Sequence, residues 1–214
     1  MKVVIVGGVA GGATAAARIR RLNEQAEIVV FERSGYISYA NCGLPYYIGG
    51  VIEDPEDLTL QTPESFFSRF HIHMKVHHEV TAIHPDSKTV SVKNLETGEI
   101  FEESYDKLLL SPGAKPVWPN LPGMNSDKLF TLRTVEDTFR IKEFVDQQRP
   151  KSAVMVGGGF IGLEVAENLR ELGMEVTIVQ RPKQLMNPFD ADMASFIHSE
   201  VRKHGVKLAL GYSV

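Results

Sequence analysis

Three features are scarce in this sequence of 214 residues: cysteine, excess charge of one sign and long apolar runs. The single cysteine, Cys42, cannot form a disulfide within the chain, so redox chemistry there would use a sulfur from another molecule or a sulfur oxyacid. A chain this poor in cysteine is typical of a reducing compartment rather than of a disulfide-built secreted protein. The formal net charge of −4, with a pI near 6.0, gives no indication of a nucleic-acid partner.

The apolar segment from Val3 to Ala17 has the composition of a signal-peptide core. Lys2 is the one basic residue before it, and its glycines favour a buried strand that turns into a helix. No segment approaches the ~20 apolar residues that a membrane-spanning helix needs. We therefore expect a cytoplasmic protein without a membrane partner.

Cys42 lies in the segment SYANCGLPYY, whose composition indicates a turn that presents a side chain at a helix start. At such a position, unpaired backbone N–H groups and the positive end of the helix dipole favour the thiolate. Free cysteines are also among the most buried residue types, so a packing role stays open. Ser38 and Asn41, which precede the thiol, are suited to capping the turn.

Two βαβ units organise the chain, one near each end. The first contains strand Lys2 to Val6, a glycine-rich turn, helix Ala13 to Leu22 and strand Glu27 to Phe31. The second contains strand Ala153 to Val156, the turn GGGFIG, helix Gly162 to Leu172 and strand Val176 to Val179. Continuous apolar strands of this kind are buried on both faces of parallel sheets. We predict an α/β fold with two Rossmann-like, three-layer domains, residues 1–114 and an incomplete 115–214.

Further elements are predicted outside these two units. They are helices Thr62 to Phe70 and Val135 to Gln148, strand-like runs His73 to Ile83, Thr89 to Asn94 and Ile100 to Tyr105, and strands Leu108 to Leu110 and Val206 to Gly211. The three runs indicate an antiparallel meander inserted into the first domain. The proline-rich stretch Ser111 to Gly123 is the candidate linker. Alternation would place His71, His73 and His77 on one strand face, where no set of metal ligands completes them, so we expect no metal site.

Both glycine turns have the context of a dinucleotide-binding fingerprint. Gly157, Gly159 and Gly162 form a full GxGxxG between a strand and a helix, where a pyrophosphate meets the helix N-terminus. The first turn has Val9 in place of the middle glycine, and a purely structural turn stays open there. Glu32, at the end of the next strand, is placed to accept hydrogen bonds from ribose hydroxyls.

The equivalent place in the second unit holds Gln180, followed by Arg181. A carboxylate would repel a 2′-phosphate, whereas amide and guanidinium groups accommodate one, so NADPH and NADH both stay open. Thr14, Arg18 and Arg21 lie along one face of the first helix, which suits a phosphate-bearing substrate. A solvated helix face is the alternative.

The chain resembles the N-terminal part of a flavoprotein pyridine nucleotide-disulfide oxidoreductase, of the group that reduces coenzyme A disulfide, coenzyme A persulfide or polysulfide. The matching segments are IVGGVAGG with Glu32, SYANCGLPYY, HEV at 78–80, ESYDKLLLSPGA at 103–114, TLR at 131–133 and GGGFIGLE at 157–164. The resemblance implies FAD in the first domain, a nicotinamide cofactor in the second and catalysis by Cys42, which rests as a mixed disulfide with coenzyme A.

The resemblance also assigns residues. Substrate binding falls to Thr14, Arg18, Arg21, Ser38 and Asn41. Cofactor binding falls to Gly7, Gly8, Ala10, Gly11, Gly12, Glu32, Arg33, Val80, Ser111, Gly113, Arg133, Gly157, Gly159, Phe160, Ile161, Gly162, Glu164, Gln180 and Arg181.

Two other functions stay open. The first is an NADH oxidase or peroxidase, in which the lone cysteine cycles through a sulfenic acid. The second is an inactive nucleotide-binding fragment, because the family's polypeptide continues into segments that complete the flavin site and form a homodimer, whereas this sequence stops at Val214. We expect those segments to be absent and flavin retention to be weak.

Overall fold

The structure is a computed structural model that describes residues 1–214. In chain order its elements are β1 (Lys2–Val6), α1 (Ala10–Leu22), β2 (Glu27–Phe31), β3 (Ile37–Tyr39), α2 (Leu44–Gly49), β4 (Thr59–Gln61), α3 (Pro63–Phe70), β5 (His73–Lys75), β6 (His78–His84), β7 (Thr89–Asn94), β8 (Ile100–Ser104), β9 (Lys107–Leu110), α4 (Val135–Gln148), β10 (Ser152–Val156), α5 (Phe160–Glu171), β11 (Glu175–Gln180), α6 (Ala191–Lys203) and β12 (Lys207–Leu210). Two short 3₁₀ turns, Asn41–Gly43 and Pro55–Leu58, complete the set.

The chain divides into two compact units, and neither is a continuous stretch of sequence. The first contains Met1–Ala40 and Glu56–Val117, and the second contains Asn41–Pro55 and Trp118–Val214. The later boundary falls inside the predicted proline-rich linker. The predicted domain limits, 1–114 and 115–214, concern which nucleotide each part binds and stay a prediction.

A four-stranded parallel sheet with the order β5-β2-β1-β9 forms the centre of the first unit. Successive residues of a strand point to opposite faces, and here both faces are covered. Ile5 and Ile28 pack with Ala13 and Ala16 of α1 on one face. On the other face lie Val4, Val29 and Phe31, which pack against Val90 and Val92 of β7. The antiparallel sheet β6-β7-β8 therefore forms the third layer, and the predicted fold class is confirmed.

The predicted single run from His73 to Ile83 is wrong, because the chain breaks between β5 and β6. β5 pairs in parallel with β2, and only β6 belongs to the meander. His77, at the break, has a left-handed backbone with φ 55° and donates its N–H to the Ser34 carbonyl. The predicted alternation of histidines on one face is wrong for the same reason, since His71 ends α3 and only His73 lies in β5.

The second unit contains the parallel sheet β10-β11-β12 with α2, α4, α5 and α6. Its core includes Val165, Leu169, Val176 and Ile178, and the fully buried Ile48 of α2 belongs to the same cluster. Helix α6 was not predicted, although its apolar residues recur at helical spacing. None of the helices in the structure combines the length and the apolar character needed to cross a membrane.

Both helices that follow the glycine turns begin earlier than predicted. α1 begins at Ala10 rather than Ala13, and α5 begins at Phe160 rather than Gly162. Glycine has a low helix propensity, so the sequence favours a turn there. Close packing of helix against strand overrides that preference, since a Cβ at Gly12 or Gly162 would overlap the carbonyl oxygen of Gly7 or Gly157.

Candidate functional site

The first glycine turn, between β1 and α1, is closed by the buried carboxylate of Glu32. Glu32 Oε2 accepts the Gly8 N–H at 2.7 Å, and its Oε1 accepts the Ser34 N–H at 2.8 Å. A carboxylate has about four acceptor positions. The remaining lone pairs of Glu32 can therefore accept hydroxyl donors at the carboxyl ends of β1 and β2, as the sequence predicts for a ribose.

The N-terminus of α1 has no side chain that satisfies its free N–H groups. Its N-cap, Val9, forms no side-chain hydrogen bond, and the first turn contains no acidic residue. The same holds for α5, whose N-cap is Gly159. By contrast, α3 and α4 are closed by capping boxes at Thr62 and Thr134. Uncapped helix starts behind glycine turns are suited to phosphate groups, so both turns fit a dinucleotide.

Other predicted residues of the first unit lie in β3, in the segments that follow β2 and β9, or in the antiparallel sheet. Ser38 has a left-handed backbone with φ 45°, and its N–H donates to the Gly8 carbonyl at 3.1 Å. Ser111 follows β9, and its N–H donates to the Val6 carbonyl at 2.8 Å. Its hydroxyl lies so close to Gly11 that a Cβ there would overlap it. Arg33 and Gly113 are exposed, and Val80 lies in β6 opposite Val92.

The arginines of α1 divide into two kinds. Arg18 and Arg21 are exposed together with Thr14, and of the three only Arg21 forms a side-chain hydrogen bond, to the Ala17 carbonyl at 3.3 Å. Arg20 instead donates to backbone carbonyls around the end of α3, among them Phe70 at 2.8 Å. The arginines predicted to bind phosphate, Arg18 and Arg21, therefore form no hydrogen bond or ion pair to another element. Arg20 forms the contacts that join α1 to the end of α3.

Cys42 lies in the 3₁₀ turn Asn41–Gly43 that leads directly into α2, and its side chain is exposed. The predicted position at a helix start is therefore present, and the packing alternative is wrong. Beside it, Asn41 places its Oδ1 out of contact with solvent and without a hydrogen-bond partner in the protein. A buried acceptor of this kind costs free energy unless a donor reaches it. The turn thus combines a reachable sulfur with an acceptor suited to a ligand.

Helix α2 holds this turn against the second unit. Gly49 lies so close to the buried Asn168 of α5 that a Cβ would overlap Oδ1 of that side chain. Tyr47 packs edge-on against Phe139 of α4, with ring centroids 5.5 Å apart. Sequence reasoning missed both Gly49 and Asn168. A polar residue among the apolar positions of α5 was the available signal.

Tyr46, one helical turn after Cys42, was also missed. Burial raises the pKa of the Tyr46 phenol, and nearby anions raise it further. Those anions are Glu164, Glu167 and Cys42 in its thiolate form. The phenol therefore keeps its proton, and a protonated phenol can donate a hydrogen bond. Its spacing of four residues from Cys42 was the signal in the sequence.

The second glycine turn repeats the contact of the first with an uncharged partner. Gln180 Oε1 accepts the Gly158 N–H at 3.0 Å, as Glu32 does for Gly8. Gln180 Nε2 donates in turn to the Gln184 carbonyl at 3.3 Å. Arg181 is exposed and forms no ion pair. The cradle therefore lacks the charge that would repel a 2′-phosphate.

The remaining predicted residues of the second unit flank this turn or precede α4. Phe160 and Ile161 open α5 and are exposed, and Glu164 is half-buried one turn later. The Arg133 N–H donates to Asp137 Oδ2 at 3.0 Å, just before the capping box of α4. Within each unit the structure thus joins the glycine turn to the side chain at the end of the second strand, Glu32 in the first unit and Gln180 in the second.

Two uncapped glycine turns on parallel sheets, with a single exposed thiol, are typical of α/β oxidoreductases that bind two dinucleotides. Residues 1–214 match the family described as pyridine nucleotide-disulphide oxidoreductase, and the chain belongs to that family. This confirms the resemblance found in the sequence.

Comparison with known proteins shows which members of this family the chain is similar to. The chain is 44% identical to a coenzyme A disulfide reductase of Staphylococcus haemolyticus, over all of this chain and 48% of that protein. The crystal structure of reduced Bacillus anthracis CoADR-RHD superposes with a TM-score of 0.96 at 51% identity, over 98% of this chain and 38% of that one. A water-forming NADH oxidase of Lactobacillus brevis gives a TM-score of 0.92 at 36% identity, over all of this chain and 47% of that one. The chain spans about half the length of the curated relatives it matches.

Proposed function

We propose that the enzyme containing this chain uses NAD(P)H to reduce coenzyme A disulfide, coenzyme A persulfide or polysulfide, with Cys42 as its single redox-active sulfur. The observation that carries this proposal is the Asn41–Gly43 turn. It exposes a thiol and holds a buried, unpartnered Asn41 oxygen beside it. The pantetheine arm of coenzyme A ends in an amide N–H near its sulfur, which is a donor of the kind that this oxygen lacks.

The reaction at Cys42 is a thiol–disulfide exchange followed by reduction. The Cys42 thiolate attacks one sulfur of coenzyme A disulfide, the S–S bond breaks, and one coenzyme A leaves as a thiolate. Cys42 is then joined to the other coenzyme A in a mixed disulfide. Two electrons from NAD(P)H break this bond and restore the Cys42 thiolate. In total, one NAD(P)H and one proton yield two coenzyme A thiols; coenzyme A persulfide would yield one thiol and sulfide.

The two nucleotide clusters take different cofactors in this proposal. The first unit holds FAD through the turn from Gly7 to Gly12 with Glu32, Arg33, Val80, Ser111 and Gly113. The second holds NAD(P)H through Gly157 to Gly162 with Arg133, Glu164, Gln180 and Arg181. When bound, FAD supplies a redox group that takes two electrons from the nicotinamide and passes them to sulfur.

The substrate's phosphates are bound by the free face of α1. Arg18 and Arg21 are exposed, and neither forms an ion pair with a carboxylate. Guanidinium groups bind phosphate bidentately. Thr14 lies on the same face, nearer the glycine turn. Ser38 and Asn41 orient the sulfur end of the substrate. A homodimer of the complete enzyme belongs to the same proposal, and the molar mass in solution checks it.

Stopped-flow reduction and mass spectrometry of the purified protein test the proposal together. We expect a Cys42 adduct with the mass of coenzyme A, rapid NAD(P)H oxidation with coenzyme A disulfide or persulfide, and slow oxygen consumption. Cys42→Ser should lose the adduct and the disulfide activity while it still binds nucleotide. Vigorous oxygen turnover without disulfide reduction would favour a sulfenic-acid oxidase, the second candidate, which the likeness to the Lactobacillus brevis enzyme supports. If the complete protein showed neither activity, both candidate functions would be refuted.

A further inference from the structure

The loop after β11, residues 181–186, is fastened to the second glycine turn by a closed set of contacts. Gly158 donates its N–H to Gln180, and the Gly158 carbonyl accepts the Met186 N–H at 2.8 Å. Leu185 is fully buried and covers Gly158 so closely that a Cβ there would overlap it. The loop and the glycine turn therefore fix each other's position through these contacts.

One side chain from outside the loop completes this set. The Leu185 N–H donates to Nε2 of His198, on α6, at 2.9 Å. A backbone N–H is always the donor, so Nε2 carries no proton and the ring is the neutral tautomer with its proton on Nδ1. An imidazolium would place an N–H against the Leu185 N–H, and the contact would become repulsive.

We propose that His198 is a positioning residue of the nicotinamide-nucleotide site, which holds the 181–186 loop and its cations Arg181 and Lys183 against the second glycine turn only while its ring is neutral. The inference rests on the proposed binding of NAD(P)H by the second unit. His198 does not touch the nucleotide. It acts through Leu185, whose backbone it anchors and whose side chain packs on Gly158.

Burial, together with one neighbouring cation, favours the neutral form of His198. Burial lowers the pKa of His198, and Arg202, one turn further along α6, lowers it again. The loop that faces the ring carries Arg181 and Lys183, and β12, which packs on α6, carries Lys207. On α6 itself, Glu200 is paired with Lys203 and His204, and Asp192 lies in the first turn. Arg202 is the charged group that acts on the ring, and it opposes protonation.

Protonation should therefore weaken nucleotide binding as the pH falls. Because the pKa of His198 in the folded protein lies below its ordinary value, the loop stays anchored at neutral pH and is released in acid. NADH is the better probe for this effect, because the 2′-phosphate of NADPH itself titrates near pH 6. Direct binding is the better readout, because Cys42 chemistry has its own dependence on pH.

The test measures the dissociation constant of NADH by fluorescence titration between pH 5.5 and 8.5, in the purified protein and three variants. His198→Leu removes the acceptor and should weaken binding about 3- to 10-fold at pH 7.5, the effect of one hydrogen bond of ~1 kcal/mol. His198→Gln places an amide oxygen near the position of Nε2 and cannot be protonated, so it should bind like wild type with a flat pH profile. His204→Gln, on the same helix but exposed, is the matched control and should behave as wild type.

Kinetics and unfolding distinguish positioning from a general loss of fold. His198→Leu should raise KM for the nucleotide and leave kcat unchanged, and the thermal midpoint of His198→Gln should match wild type. Unchanged NADH binding in His198→Leu, or an acid-dependent loss of NADH binding that persists in His198→Gln, would overturn the inference about His198. Neither result would affect the proposed function of the second unit. If wild type bound neither NADH nor NADPH, the proposed role of the second unit would fail as well.

Discussion

Substitution of Arg20 and of Arg18 should have opposite effects on stability and on substrate binding. The Arg20 side chain donates at 2.9 Å or less to the carbonyls of Phe70, Glu24, Ala26 and His71. Each such bond contributes about 1 kcal/mol net. Because the side chain is only half-buried and water can replace it, we expect Arg20→Ala to cost about 2–4 kcal/mol of unfolding free energy.

Such a loss would lower the thermal midpoint by about 5–15 °C for a protein of this size. Arg20→Lys should recover only part of it, because one ammonium cannot reach carbonyls at the end of α3 and in the loop after α1 together, as a planar guanidinium does. Arg18→Ala should leave the midpoint within about 1 °C, since Arg18 has no partner to lose. Its KM for coenzyme A disulfide should rise about tenfold, as expected for one charge-assisted phosphate contact.

The measurement is circular dichroism melting of the three variants, with steady-state kinetics of Arg18→Ala on the complete enzyme. A midpoint of Arg20→Ala equal to wild type would refute the structural assignment. A fall in stability of Arg18→Ala equal to that of Arg20→Ala would refute the division of the helix into two kinds of arginine. An unchanged KM would remove Arg18 from the substrate site.

Three further substitutions test other parts of the site. Asn41→Ala should slow turnover of coenzyme A disulfide more than it lowers flavin content, measured from the absorbance spectrum, and equal losses of both would contradict its role in substrate binding. Glu32→Gln should lower flavin content and leave Cys42 reactivity unchanged, because the amide replaces one of the two acceptor oxygens of the carboxylate by a donor. Full flavin retention in this variant would count against Glu32 as a ribose ligand. Gly49→Ala should destabilise the second unit by about 1–3 kcal/mol through overpacking on Asn168, and Asn168→Ala in the same chain should relieve part of that loss in urea unfolding.

The sequence was sufficient for the parts of the fold that depend on local pattern. The strands β1 and β2, the glycine turns, the acid at Glu32 and the exposed thiol follow from apolar continuity, glycine spacing and turn chemistry. The strand β5 did not, because the break after it uses a left-handed histidine, His77, which composition does not distinguish from an extended one. The helix starts at Ala10 and Phe160 were placed late because packing overrode propensity.

Long-range contacts account for what the sequence could not supply at the site. Arg18, Arg20 and Arg21 have the same chemistry, and Arg20 differs from the others because it donates to carbonyls at the end of α3 and in the loop after α1. Asn168 and His198 read as ordinary polar helix residues, since their partners, Gly49 and Leu185, are remote in sequence. These residues acquire their roles from tertiary structure, which a single sequence does not encode in any local pattern.

The assignment of residues 41–55 to the second unit has a practical consequence for dissecting this protein. A cut at the boundary between Val117 and Trp118 would leave the cysteine-bearing segment covalently attached to the first unit and separated from the rest of the second unit, to which it belongs. Ile48, whose side chain is fully buried, would then be stripped of its cover and exposed to water. An isolated N-terminal piece would therefore carry its thiol on a segment without its packing partners, and the exposed apolar side chains there would favour aggregation. An exchange of halves between relatives would have to move residues 41–55 together with the C-terminal piece.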